Sequence, residues 1–284
     1  MLKRKSQLRI FWQLIKSLQT GLLLATGLAG YMSARCPVTH LGTLLGLAGS
    51  LFLAISGSTV LNMWYDRDID AQMKRTANRP LPSGKITPRA ALLLGGLLSA
   101  LGVGWALALA PLYGAIIFAG LFFDVVIYTV WLKRRTAWSI VWGGISGGMP
   151  ILAGRALGLG QVDWVGLLLA LAVLFWIPTH IMTFNIRRFA DYQQAGIPTF
   201  PARYGVRTAQ VIITASSVAA ALAIGLAAIG IGVTWGYMRV LAALSIGLLA
   251  LAIASLVRPS EKVNFSLFKY ASLYMLSAML LLAI

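Results

Sequence analysis

Asn62, Asp66 and Asp70 place three oxygen-bearing side chains at four-residue intervals, the sharpest chemical signal in the chain. On a continuous helix they would fall within an arc of about 80° and along about 12 Å, so their oxygens would point one way. Hard oxygens suit Mg2+, which keeps several waters and shares its remaining positions with substrate phosphates. The C-terminal end of a helix also favours cations. The pattern predicts a magnesium–diphosphate site; the alternative is a polar helix end solvated in water. Asp68 lies off that face and is expected to pair with Arg67 or Lys74, or to be solvated. The loop that follows carries Lys74, Arg75, Arg79 and Lys85 among Pro80, Pro82 and Gly84, which argues for a shaped loop rather than a helix. An anionic diphosphate must be met by cations near the metal, and Arg75 and Arg79 are the best placed.

A second polar cluster runs from Pro178 to Pro201. Asp191 is one of only seven acids in the chain and the only carboxylate on this side that could serve a second metal. Two Mg2+ ions facing a diphosphate and Asp66, Asp70 and Asp191 would leave net negative charge, which Arg187 and Arg188 are available to balance. Asn185, Arg188 and Tyr192 share one helical face if the helix continues that far. The bland alternative is a local Arg187–Asp191 ion pair. His180, near a kink expected at Pro178, could contact an acceptor, ligate a haem iron or move a proton, or simply hydrogen-bond a neighbouring helix. Asp124 sits deep inside an apolar run, where an ionisable group faces the bundle interior; it is either functional or a partner for a buried Arg. Tyr128 and Lys133 could line the same cavity.

The elements that must position these groups are membrane spans. Of 284 residues, 59% are hydrophobic and 11% charged, against about 25% charged in a soluble domain. We read an all-α polytopic membrane protein, a single domain over residues 1–284, with spans at residues 18–32, 41–65, 90–109, 112–132, 139–157, 164–186, 209–229, 237–256 and 267–284. The stretch from Leu8 to Leu18 is amphipathic and could lie at the interface. The net charge of +17 does not require nucleic acid. With a cytoplasmic N-terminus, the inner segments 66–89, 133–137, 187–208 and 258–262, together with Lys3, Arg4 and Lys5, hold nearly all Lys and Arg. Arg35, Arg155 and Arg239 fall on or near the outer side, and the C-terminus is expected outside. The single cysteine, Cys36, excludes an internal disulfide. A weak internal echo links Asn62, Asp66, Pro80 and Pro82 with Asn185, Asp191, Pro198 and Pro201, four spans later.

At these residues the sequence resembles the UbiA superfamily of intramembrane prenyltransferases. Within it, the stretches NMWYDRDIDAQMKRTANRPLPSGKITP, YTVWLKRRTAWSIVWGGISGGMP and PTHIMTFNIRRFADYQQAGIPTFP are most similar to the protoheme IX farnesyltransferases, or haem O synthases. The resemblance implies nine helices around a central cavity, Mg2+ as cofactor, farnesyl diphosphate as donor and haem B as acceptor. Carried over by position, it implies that Asn62, Asp66, Asp70 and Asp191 hold metal and diphosphate. Lys74, Arg75, Arg79, Lys133 and Arg188 are then candidate diphosphate or propionate contacts. His180, Asn185 and Tyr128 complete the expected site. The chain departs from the family pattern at Ala190, usually Lys; after the Gly-rich fifth-span segment, where only Pro150 remains of the usual two prolines; at Arg155, in a normally apolar stretch; and at Lys16-Ser17, usually Lys-Pro-Arg. The rival readings are the same chemistry on a quinone-precursor ring or a glycerol-phosphate lipid, and a transporter with its polar site on broken helices.

Overall fold

The computed structural model describes residues 9–35 and 40–284. Lys3, Arg4, Lys5, Leu8 and Cys36, named above, lie outside the described residues. Among those residues every regular element is a helix: α1 Ser17–Ser33, α2 Leu41–Tyr65, α3 Arg67–Gln72, α4 Pro88–Leu109, α5 Pro111–Phe122, α6 Ser139–Leu159, α7 Trp164–Arg187, α8 Phe189–Gln194, α9 Phe200–Tyr204, α10 Val206–Ile231, α11 Trp235–Val257 and α12 Glu261–Ala283. α5 runs on into a π-helix over Phe123–Leu132.

Local chemistry sets several boundaries. Pro88 opens α4, where its missing N–H costs nothing, and Thr87 accepts from Ala90 N–H at 3.2 Å. Asp163 caps α7 by accepting from Gly166 N–H at 2.9 Å, and Ser260 caps α12 by accepting from Val263 N–H at 3.1 Å.

Among the described residues seven helices are long and apolar enough to cross a membrane: α2, α4, α5 with its π-helical extension, α7, α10, α11 and α12. The two other long helices differ for one physical reason. α1 has only 17 residues and α6 is rich in glycine and holds Arg155, and they are packed on each other through those glycines. A Cβ on Gly154 would stand 1.9 Å from Gly27 O, and one on Gly30 would stand 2.1 Å from Ile151 O. Helices sealed this closely against protein need not be apolar all round. α1 also packs on α2 and α12, which closes the two ends of the chain onto each other. Leu93, Leu97 and Leu101 form an exposed stripe along α4, as do Leu222, Leu226 and Ile229 on α10, consistent with faces that meet lipid.

The stretch before α1 does not lie wholly at an interface. Leu14 and Ile15 are fully buried against Val60, Met63, Leu81 and Ala91, whereas the large hydrophobics Trp12 and Leu18 are exposed. Lys16 then takes a left-handed conformation (φ 45°, ψ 60°), a strained turn for a residue with a Cβ.

Candidate active site at the basic end of the bundle

α2 stops at Tyr65, because Asp66 leaves the helical region (φ −87°, ψ 9°), and α3 begins at Arg67. Asn62, Asp66 and Asp70 therefore do not lie on one continuous α-helix. The four-residue hydrogen-bond ladder nonetheless passes through the break, from Asp66 N–H to Asn62 O at 3.0 Å and from Asp70 N–H to Asp66 O at 2.8 Å. The bend turns Asp66 and Asp70 inward, leaving them 4% and 3% exposed.

Each buried carboxylate meets a cation. Asp66 accepts from Lys133 Nζ, and Arg134 stands 3.7 Å from its other oxygen. That oxygen, Oδ1, is buried without a hydrogen-bond partner. Arg79 clasps both oxygens of Asp70 through Nη1, at 2.9 and 2.7 Å. Thr76 anchors the intervening loop by donating to Asp70 O at 2.8 Å. Asp68 pairs neither with Arg67 nor with Lys74: Arg134 binds it through two hydrogen bonds of 2.8 Å and holds its carboxyl below the usual range. Arg67 instead donates to Trp64 O at 2.7 Å, and Lys74 is exposed.

The π-helix supplies the opposite wall. Its five-residue ladder, seen in Lys133 N–H donating to Tyr128 O at 2.8 Å, aligns residues five apart. An α-helix would set such residues about 140° apart. Lys133 Nζ consequently lies 5.7 Å from the Tyr128 ring centre. Burial alone would lower the Lys133 pKa, but Tyr128 and Asp66 beside it raise it above the ordinary lysine range. Among the described residues Asp124 has no Arg partner. Ser58 and Asn62 donate to its Oδ2, the latter at 2.8 Å, while Thr129 donates to Asn62 Oδ1 at 2.7 Å and to Asp124 O at 2.8 Å. Asp124 thus fixes the amide of Asn62.

The second polar cluster is brought to the first by a small apolar contact. Ile69 and Met73 of the first pack on Ile197 of the second, with Tyr192 and Ala195 alongside. Arg75 lies 5.2 Å over the Phe184 ring. α7 ends at Arg187 and Arg188 is non-helical (φ −111°, ψ 27°), so Asn185, Arg188 and Tyr192 do not share a helical face. The Arg187–Asp191 pair does not form. Arg187 stacks 3.7 Å over Phe265, and Asp191, half-buried in α8, joins no ion pair among the described residues. Asn185 is buried. The internal echo extends to the elements: α2 and α7 both end in a break followed by a six-residue helix, α3 and α8.

Sequence reasoning passed over Lys16 as a site residue. Burial and the repulsion of Arg79 and Lys133 push its pKa down to about 8, with Asp70 and Asp124 acting the other way. A basic residue immediately before the first span was the available signal. Arg155 lies far from this site: it donates to Asp163 through two 2.8 Å bonds and to Ser33 O at 2.6 Å, tying α6, α7 and α1 at the opposite end.

Among the described residues no three His, Cys, Asp or Glu side chains gather closely enough to hold a metal by themselves. The donor set nevertheless fits Mg2+. It offers hard oxygens, one of them the orphaned Asp66 Oδ1, and an ion that keeps its waters and shares substrate phosphates does not need an all-protein cage.

The comparisons bear on the family and the fold. The UbiA prenyltransferase family matches residues 23–276. The protoheme IX farnesyltransferase of Pyrobaculum arsenaticum is 42% identical over 73% of this chain and 75% of its own length. That of Archaeoglobus fulgidus is 37% identical over 93% of this chain and 86% of its own. Among solved structures, one concerned with digeranylgeranylglyceryl phosphate synthase in membranes superposes with a TM-score of 0.81 at 20% identity, covering 98% of each chain. A UbiA homologue from Archaeoglobus fulgidus bound to GPP and Mg2+ gives 0.75 at 15% identity, covering 97% of this chain and all of that one. At those identities the solved structures establish the fold alone, whereas the sequence matches carry family membership: this chain is an integral membrane protein of the UbiA prenyltransferase family.

Proposed function

We propose that the protein transfers a farnesyl group from farnesyl diphosphate to a vinyl group of haem B, giving haem O. The observation that carries this reading is the 37% identity, over 93% of the chain, to a protoheme IX farnesyltransferase. The convergence of Lys133 and Arg79 on the buried carboxylates of Asp66 and Asp70 supports it. In this reading all nine long helices cross the cell membrane around a central cavity, within one domain, with the N-terminus cytoplasmic and the C-terminus outside. The nearly one-sided distribution of Lys and Arg supports that orientation.

Asn62, Asp66, Asp70 and Asp191 would hold Mg2+, with Thr129 and Asp124 fixing the Asn62 amide. When bound, Mg2+ supplies positive charge against the diphosphate oxygens and so favours departure of the leaving group. The chain's own residues do the rest. Lys133 and Arg79, now on Asp66 and Asp70, are free to turn to the diphosphate once those carboxylates have another cation. Lys16, Lys74, Arg75 and Arg188 add charge around the same anion, and Asn185 contacts it from the second cluster. The Tyr128 face, beside Lys133, lines the path of the allylic carbon and stabilises developing positive charge there. The apolar helices shield the allylic carbon from bulk water until the vinyl carbon has bonded to it and diphosphate has left; one water then adds to the cation next to the porphyrin ring and loses a proton, which gives the hydroxyethylfarnesyl group.

The test is turnover by the purified full-length protein with labelled farnesyl or geranylgeranyl diphosphate, each offered with haem B, an aromatic acid or a glycerol-phosphate lipid. Farnesylated haem from the haem arm, and little product elsewhere, is the expected result. Product only with another acceptor would replace haem with that acceptor, and the absence of any Mg2+-dependent diphosphate release would favour transport.

A further inference from the structure

His180 is held in a way that the donor chemistry does not require. Its ring is sandwiched between Trp176 and Phe268, each with its centre 4.7 Å away and within 24° of parallel. Trp176 is itself pinned by donating from Nε1 to Ala271 O at 2.7 Å. Ser272 Oγ stands 3.1 Å from His180 Nδ1 and 3.2 Å from Phe268 O, so it can accept from Nδ1–H while donating to that carbonyl. In that tautomer Nε2 carries the lone pair. It has no hydrogen-bond partner among the described residues and is not among the sealed, unsatisfied polar atoms. An imidazole oriented through Nδ1 with a bare Nε2 is the arrangement found in metal-ligating histidines.

Two cations complete a pattern. Arg187 lies seven residues after His180 on α7, about 10 Å further along the helix toward the basic end. It stacks 3.7 Å over Phe265, and Lys269 of α12 lies 4.3 Å over the same ring. Neither has a carboxylate partner among the described residues. A flat aromatic macrocycle with a metal at its centre and carboxylates on one edge needs an axial nitrogen, aromatic faces and cations about that far from the metal. Phe184, 5.9 Å from Phe268 and under Arg75, links these rings to the loop that follows α3.

We propose that the face shared by α7 and α12 is the seat of the acceptor, with His180 Nε2 as axial ligand to the haem iron and Arg187 and Lys269 receiving the propionates; the proposal rests on the haem-farnesylating reading above. The experiment is a titration of the purified full-length protein in detergent with haem B, followed by Soret absorbance and magnetic circular dichroism. A histidine-ligated spectrum is expected from the wild type. His180→Ala is expected to lose that spectrum and to bind haem about tenfold more weakly or worse, with farnesyl diphosphate affinity unchanged as the check on folding. His180→Gly should regain the spectrum on addition of imidazole. The double variant Arg187→Gln/Lys269→Gln should bind haem about tenfold more weakly while keeping the histidine-ligated spectrum. A wild-type spectrum in His180→Ala, or a His180→Gly variant that binds farnesyl diphosphate but gains no histidine-like spectrum with imidazole, would overturn iron ligation. If the wild type farnesylates haem and these results follow, only the seat fails; if the wild type neither binds nor farnesylates haem, the functional reading fails first.

Discussion

The breaks after α2 and α7 are built alike and charged differently. Both long helices end in a non-helical residue and resume as a six-residue helix. After α2 each carboxylate is neutralised: Asp66 by Lys133, Asp70 by Arg79 and Asp68 by Arg134. After α7 Asp191 has no ion-pair partner among the described residues, Arg187 rests on Phe265, and Arg75, reaching over from the α3 loop, rests on Phe184. One half stores its charge in ion pairs that a metal can replace, and the other stores cations on aromatic faces, where desolvation costs less and the charge stays available. The difference suggests a division of labour, with the first half binding the metal and leaving group and the second recruiting anionic substrate groups.

The harshest way to break that comparison is to remove the first half's carboxylates. Asp66→Ala or Asp70→Ala should lower kcat/KM by about 1,000-fold or more, measured as product formation at saturating Mg2+. Retained activity in either variant would remove the metal assignment. Lys133→Met should lower kcat by about 100-fold and also cost about 3 kcal/mol of stability, because Asp66 is left buried without its partner. Adding Asp66→Asn to Lys133→Met should restore thermal stability but not activity, which separates the two roles. Asp191→Asn should cost less, about 30-fold, and should raise the Mg2+ concentration needed for half-maximal rate. A loss as large as that of Asp66→Ala, with no change in Mg2+ dependence, would erase the distinction between the halves.

How far the sequence foretold this arrangement depends on which interactions are local. Span bounds were legible to within three residues, because apolar runs of span length leave little choice, except that α12 begins at Glu261, six residues before the expected 267; α2 runs from Leu41 to Tyr65, as read. The carboxylate cluster was legible because its four-residue period survives the break at Asp66. The π-helix was not, since nothing in Phe123–Leu132 distinguishes a five-residue ladder from a four-residue one; that is why the alignment of Tyr128 with Lys133 was open and the pairing of Lys133 with Asp66 was missed. Partners distant in the chain were hidden for the same reason. Asp68 looked local, yet its cation comes from Arg134, 66 residues on. Arg155, an oddity in an apolar stretch, acquires meaning only once α1 and α6 are packed and Ser33 and Asp163 surround it.

That clamp provides a control outside both halves. Arg155 is 6% exposed and satisfied by Asp163 and Ser33. Arg155→Met should lower stability by about 2–3 kcal/mol, by stranding the Asp163 carboxylate, with KM for the prenyl diphosphate unchanged. Arg155 holds the Asp163 pKa below its ordinary value. A depressed folded-state pKa means stability that is present above the unfolded value of about 3.9 and is lost as pH falls through the folded value. Thermal unfolding of the wild type in detergent should therefore weaken below about pH 4, and Arg155→Met should show less of that acid slope. Equal slopes would mean that other carboxylates govern acid stability.

The smallest effect sharpens the comparison most finely, because it concerns an acid inside the motif that does not belong to the site. The Asp68 side chain is 57% exposed and paired with an Arg134 that is itself 32% exposed. Solvent screens such a pair, so Asp68→Asn should change stability by less than about 1 kcal/mol. Arg134 would keep its 2.8 Å bond to Tyr65 O and its position 4.6 Å over the Tyr65 ring, so the end of α2 should not move. Turnover should stay within about threefold of wild type, under conditions where Asp66→Ala and Asp70→Ala, two residues away on either side, are inactive. Such a contrast would show that the inward turn at Asp66, rather than negative charge in this segment, selects the residues that act. A loss in Asp68→Asn comparable to theirs would mean that Asp68 swings into the site when substrate binds, and the break at Asp66 would then be a hinge rather than a fixed bend.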